Sequence, residues 1–124
     1  MSLQTLAHQF VDLCNQGKNF DVMEMMYAPD IVSVEGDGKE WKGKEPVIQK
    51  SRDWATVNTF HGEQVRGPYF CGPTDTDSGR FAVHFTLEIT RNDTGQRLKL
   101  DEVGLYTVKG GKIIREEFFY EGAH

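Results

Sequence analysis

The stretch Phe81-Ala82-Val83-His84-Phe85-Thr86-Leu87-Glu88-Ile89 decides the fold. Its large apolar side chains all fall on odd numbers with small or polar residues between them, and that period of two belongs to a strand covered on one face. Turn-forming clusters bracket it, Asp75-Thr76-Asp77-Ser78-Gly79 before and Asn92-Asp93-Thr94-Gly95 after. Further on, Lys109-Gly110-Gly111-Lys112 separates two more extended segments, Gln96 to Val108 and Ile113 to Glu121. Strands joined by tight polar turns predict an antiparallel meander.

Toward the N terminus the period changes to that of a helix. Leu3, Leu6, Phe10 and Leu13, with Ala7 and Cys14 beside them, form one apolar stripe that Gly17 ends. Asn19 is placed to cap a second, shorter helix with Phe20, Met23, Met26 and Tyr27 inward, and Ala28-Pro29-Asp30 to stop it. The chain is therefore expected to open as a helical hairpin. Ile31 to Glu35 reads as a short strand, Gly36 to Lys44 as a charged, glycine-rich loop holding Trp41, and Pro46 as the first turn of a third helix. In that helix Val47, Ser51, Trp54, Ala55 and Asn58 share a face. Three N-terminal helices followed by long strands predict an α+β fold, the helices covering one face of a curved antiparallel sheet.

At 124 residues, 38% of them hydrophobic, the chain fits a single domain spanning 1–124. A net charge of −5 opposes binding to a phosphate backbone, so nucleic acid is not an expected partner. The longest run without Asp, Glu, Lys or Arg, Met1 to Val11, is too short to span a bilayer and lacks the basic start and small-residue exit of a leader. A soluble cytoplasmic protein with no membrane contact is the expectation. Cys14 and Cys71 stand far apart and are expected to be small buried hydrophobes. His8, His61, His84 and His124 show no HxxxH or HExxH spacing, so no metal site is expected. Asp75 and Asp77 lack the glutamate that a calcium loop needs, and no GxSxG, P-loop or GxGxxG fingerprint appears.

Asp101 and Glu102 are neighbours on one predicted strand, so their side chains face opposite sides. If even positions face the helices, Glu102, Gly104, Tyr106 and Val108 join Ile114, Glu116, Phe118 and Tyr120 on the covered side. The odd phase offers Val103, Leu105 and Thr107 with Ile113, Arg115, Glu117 and Phe119. Both sets are apolar, and periodicity leaves the choice open. An uncovered face bearing Val103, Leu105 and Phe119 would be a hydrophobic patch unless a second copy covered it, which predicts a homodimer. Carboxylates held among Phe and Tyr are raised in pKa by desolvation and become acids or bases usable near neutral pH. At the solvent rim they would instead pair with Arg80, Arg97 or Arg115.

Three strings, Tyr27-Ala28-Pro29-Asp30-Ile31-Val32-Ser33-Val34-Glu35, Trp41-Lys42-Gly43-Lys44-Glu45-Pro46-Val47-Ile48 and Tyr106-Thr107-Val108-Lys109-Gly110-Gly111-Lys112-Ile113-Ile114-Arg115, resemble in order the nuclear transport factor 2 superfamily. Within it they resemble the SnoaL-like branch of polyketide cyclases, over nearly the whole chain. The resemblance implies a cone-shaped, cystatin-like fold in which a bent sheet wraps a long helix, the mouth opens on a ligand-binding pocket and the outer sheet face forms a dimer. It favours the even phase as pocket-lining. Similarity to ketosteroid isomerase, another member, sets that enzyme's general-base aspartate at Glu35 and its donor tyrosine at Phe10, which has no hydroxyl. Its donor aspartic acid falls near Gly104, one inward position from Glu102.

For function the resemblance implies a small-molecule-binding protein, working without cofactor as a cyclase or isomerase by proton transfer next to a carbonyl. The partner molecule would be small and apolar or oxygenated. Glu35 or Glu102 would be the base and Tyr106 or Tyr120 the oxyanion donor. Phe10, Trp54 and Phe118 would form the apolar wall, with Glu116 on the same face. The alternatives are a non-catalytic binder of a small apolar ligand and a dimeric interaction module whose cavity is filled by side chains.

Overall fold

The computed structural model describes residues 1–122, and His124 lies outside them. Helix α1 (Leu3–Asn15) starts where the Ser2 hydroxyl oxygen accepts the Thr5 backbone N–H at 3.2 Å, and it buries Leu3, Leu6, Ala7, Phe10, Val11 and Cys14. There follow α2 (Asn19–Met26), β1 (Tyr27–Val34), β2 (Glu40–Lys42) and α3 (Lys44–Val57). The meander is β3 (Asn58–Phe70), β4 (Gly79–Arg91), β5 (Arg97–Lys109) and β6 (Lys112–Phe119). Three helices and one six-stranded sheet make the α+β fold, with strand order β2-β1-β6-β5-β4-β3.

The sheet is not wholly antiparallel, because β1 lies parallel to β6. A parallel pair needs a long crossover, and here everything from β2 to β5 supplies it. Strand β1 also starts at Tyr27, well before Ile31, so Ala28-Pro29-Asp30 is strand rather than the expected break. Pairing to β6 shifts register between Tyr27 and Val32, and a proline is tolerated where the ladder is interrupted. Trp41 belongs to β2 and not to a loop. Helix α2 buries Val22 and Met26, while Phe20 is exposed and Tyr27 has left the helix. An eight-residue helix turns only about twice, so a few apolar side chains do not fix which face is inward. On α3, Val47 and Ile48 are buried and Asn58 is the C-cap.

Strand β5 buries Leu100, Gly104, Tyr106 and Val108, so its even positions face the helices. Strand β6 does not keep one phase throughout. Thr107 pairs with Arg115 but Val108 pairs with Ile113, and the extra residue turns Ile113 inward in place of the expected Ile114. A bulge of this kind leaves no trace in a period-two count. Of the two cysteines, Cys14 is buried as expected but Cys71, just past β3, is exposed.

The helices pack on the inward face, α1 over β3 and β4, α3 over β1, β2 and β3. The Phe10 ring lies 5.3 Å from Phe81 and 4.6 Å from Tyr106, centroid to centroid, anchoring the main apolar cluster. A second cluster of Leu87, Ile89 and Leu100 packs against Trp54 and Leu98. Among the described residues no helix is long and apolar enough to cross a membrane.

Candidate functional site

A cavity of about 940 Å³ borders both apolar clusters, reaching Phe10 and Phe85 of the first and Leu87 and Trp54 of the second. All eight residues singled out from the sequence line it. Glu102 and Tyr106 come from β5, Glu116 and Phe118 from β6, Phe10 from α1 and Trp54 from α3. Glu35 stands just past β1 and Tyr120 just past β6.

Two glycines shape the polar wall. A Cβ at Gly104 would sit 2.8 Å from the Tyr106 ring and 3.1 Å from its hydroxyl oxygen, so the ring lies back over Gly104 toward the Glu102 side of the strand. Likewise a Cβ at Gly36 would meet the Tyr120 ring at 2.7 Å. Those close approaches let both tyrosines fold flat against the backbone, where any larger residue would push them into the cavity.

Around them runs a connected polar chain. Glu116 is buried and accepts hydrogen bonds from the Tyr27 hydroxyl and, at 2.6 Å, from the Ser33 hydroxyl. Lys50 Nζ donates to Ser33 Oγ at 2.8 Å and to Glu35 Oε1 at 2.6 Å, and lies 3.9 Å from Glu116 Oε2. Tyr120 donates to Glu35 Oε2 at 3.2 Å. On the other side Asn19 donates to Glu63 at 3.0 Å. The expected rim partners are engaged elsewhere, Arg97 with Glu88 and Arg115 with Glu117.

Electrostatics separates the carboxylates. Glu102 pairs across the ladder with Phe85, and burial pushes its pKa from 4.5 up to about 7, helped by the negative charges of Glu35, Glu63 and Glu116 and opposed by Lys50. Burial raises Glu116 as well, against Lys50 and the bonds from Ser33 and Tyr27. Glu63 is raised by burial and lowered by Asn19. Burial pushes the Tyr27 and Tyr106 phenols well up, so both stay protonated donors. Burial, with Glu63, also drives the Cys14 thiol up, which leaves it an inert part of the wall.

Sequence reasoning missed Lys50, Ser33, Tyr27, Trp41 and Glu63 as cavity residues or network members. A signal existed for two of them. Lys50 sits three residues after Val47 and four before Trp54, a lone charge on the inward stripe of α3. Ser33 lies two residues before Glu35, on the same side of β1 by strand alternation. Nothing in the sequence placed Tyr27 opposite Glu116, because that contact depends on the parallel β1–β6 pairing. His61 is exposed at the cavity wall and sits 2.6 Å from Thr90 Oγ1. Among the described residues no three His, Cys, Asp or Glu side chains gather as metal ligands.

Comparison with known proteins fits this geometry. The family model for the SnoaL-like domain matches residues 1–120. The crystal structure of a candidate SnoaL-like polyketide cyclase from Mesorhizobium loti is 41% identical, with a TM-score of 0.87 over 97% of this chain and 100% of that one. A candidate polyketide cyclase from Pseudomonas putida shares the fold at 17% identity, with a TM-score of 0.74 over 98% and 92% of the two chains. So does a protein of ketosteroid isomerase-like fold from Catenulispora acidiphila, solved with trimethylamine, at 13% identity and a TM-score of 0.68 over 94% and 85%. No curated protein matches the chain. With its model matched across nearly the whole sequence and its fold shared by these structures, the chain belongs to the SnoaL-like domain family of the nuclear transport factor 2 superfamily.

Proposed function

We propose that the protein is a cofactor-independent cyclase or isomerase that moves a proton at the carbon next to a carbonyl of a small, largely apolar, oxygenated molecule. The observation that carries this reading is Glu102, a carboxyl in an aromatic-walled cavity with its pKa pushed up to about 7. At neutral pH both of its forms are populated, so it takes the proton as carboxylate and returns it as acid, a contribution of about 10²- to 10⁴-fold in rate. Glu35 is less free to reach a substrate proton, since Lys50 and Tyr120 already occupy both of its oxygens. Tyr106, bent over Gly104 toward Glu102, supplies a phenol donor where negative charge develops on the carbonyl oxygen. Phe10, Trp54 and Phe118 hold the apolar frame, and a cavity of this size accepts a molecule of several fused rings. The Mesorhizobium loti protein is described both as a candidate SnoaL-like polyketide cyclase and as a carbohydrate phosphatase, and the first of these descriptions supports the same class of chemistry.

The reading extends to assembly and shape: a cytoplasmic homodimer of cystatin-like cones joined through the outer sheet face. Val103 and Phe119 pair across β5 and β6 there, 41% and 53% exposed.

A probe ketone tests the chemistry without knowledge of the natural substrate. In heavy water, 2-tetralone should lose its α-proton NMR signals faster with the protein than in buffer, and Glu102→Gln should abolish the acceleration while pyrene still binds. Equal rates in protein and buffer would end the reading.

A further inference from the structure

We infer that Lys50 is the cationic donor that grips the substrate's carbonyl oxygen, which makes the preferred ligand an apolar frame bearing an oxygen that carries negative charge in its reactive form. This inference rests on the proton-transfer reading of the cavity.

The geometry begins with the number of donors. A lysine ammonium carries three N–H groups, and Lys50 directs two of them to Ser33 Oγ and Glu35 Oε1. Glu116 Oε2, at 3.9 Å, is an ion partner but too far for a hydrogen bond. The third N–H has no acceptor among the described residues. Nζ itself lies over two rings, with Trp41 centred 4.9 Å away and Phe118 5.3 Å away, and both rings line the cavity. Those rings shield the ammonium without accepting a conventional hydrogen bond. Only 14% of the Lys50 side chain is exposed, so the cation acts through a poorly screened medium.

The arrangement also fixes where Lys50 points. Ser33 cannot turn away, since its own proton is committed to Glu116, and Glu35 is held from its other oxygen by Tyr120. Ser33 and Glu35 are thus positioning residues, and Lys50 is held before substrate arrives. The electron count closes without a co-reactant. Glu102 takes the α-proton, the C–H pair becomes the new C=C bond, and the carbonyl π pair moves onto the oxygen, where the Lys50 N–H receives it. Returning the proton from Glu102 to carbon reverses the sequence, and the net charge of the cavity is constant throughout.

The test uses two probes of one shape, pyrene and 1-hydroxypyrene, the second carrying a single oxygen that mimics an enol. Fluorescence titration of the wild-type protein at pH 8 should show 1-hydroxypyrene binding about tenfold more tightly than pyrene, with the bound probe ionising at lower pH than in water. Lys50→Met should remove both the margin and the ionisation shift while leaving pyrene affinity within about twofold, and Lys50→Arg should retain part of the margin. Because Lys50→Met strands Glu35, the charge-balanced Lys50→Met/Glu35→Gln variant is measured beside it and should behave alike. A wild-type protein that binds pyrene without preferring 1-hydroxypyrene overturns the role of Lys50 and leaves the cavity reading intact. So does a preference that survives in both variants lacking the lysine. If neither probe binds, the cavity reading fails and this inference with it.

Discussion

Replacing Glu102 with Gln is expected to stabilise the protein by an amount that depends on pH. Raising a carboxyl pKa from 4.5 to about 7 makes its ionisation in the folded state about 3 kcal/mol harder than in the unfolded chain. Below pH 4.5 both states carry the proton, and folding is indifferent to the group. As pH climbs toward 7 the unfolded chain ionises first, so the folded protein binds more protons and loses stability. Above 7 both states are ionised and the full penalty persists. The neutral amide of the Glu102→Gln variant carries none of it. The stability difference between Glu102→Gln and wild type should therefore grow between pH 4.5 and pH 8, by about 3 kcal/mol at most, since water reaching the half-buried group trims the gain. Urea unfolding of both proteins across that range reads it directly. A difference that stays constant with pH, or that moves in favour of the wild type, would refute the assignment of Glu102 to a desolvated wall.

Three further outcomes follow from the packing, and one from the outer sheet face. Glu116→Ala strands the Tyr27 and Ser33 donors and the nearby Lys50, and urea unfolding should show a loss of about 3–5 kcal/mol. Gly104→Ala drives a methyl into the Tyr106 and Phe85 rings and should lose about 1–3 kcal/mol with altered near-ultraviolet circular dichroism. Gly62→Ala, whose Cβ meets nothing within 4 Å, should stay within about 0.5 kcal/mol. In light scattering at micromolar concentration the protein should run as a dimer, and Phe119→Asp should give the 14.1 kDa monomer; a monomeric wild type contradicts the outer-face dimer.

What was legible in the sequence depends on the range of the interaction. Helix α1 and strand β4 were legible because each has a single buried stripe whose period survives unbroken from end to end. The alternation on β5 placed Glu102 with Tyr106, and their shared face follows from the pleat alone. What escaped was set by pairing between distant segments. The parallel contact of β1 with β6 brings Tyr27 and Ser33 to Glu116, residues 89 and 83 positions apart, and nothing local to any of them foretells it. The bulge that exchanges Ile114 for Ile113 is likewise a property of the ladder. Lys50 was different: its position on the α3 stripe was visible, but a charged side chain there reads as solvated until Glu35, Ser33 and Glu116 are seen converging on it.

The central claim, that Glu102 transfers a proton next to a carbonyl, is tested most directly by the pH dependence of 2-tetralone α-proton exchange in heavy water. The expected rate exceeds that of buffer, rises with pH through a midpoint at about 7 as Glu102 becomes the carboxylate, and is absent in Glu102→Gln. A rate equal to that of buffer, or one that follows the same profile in the Glu102→Gln variant, would contradict it.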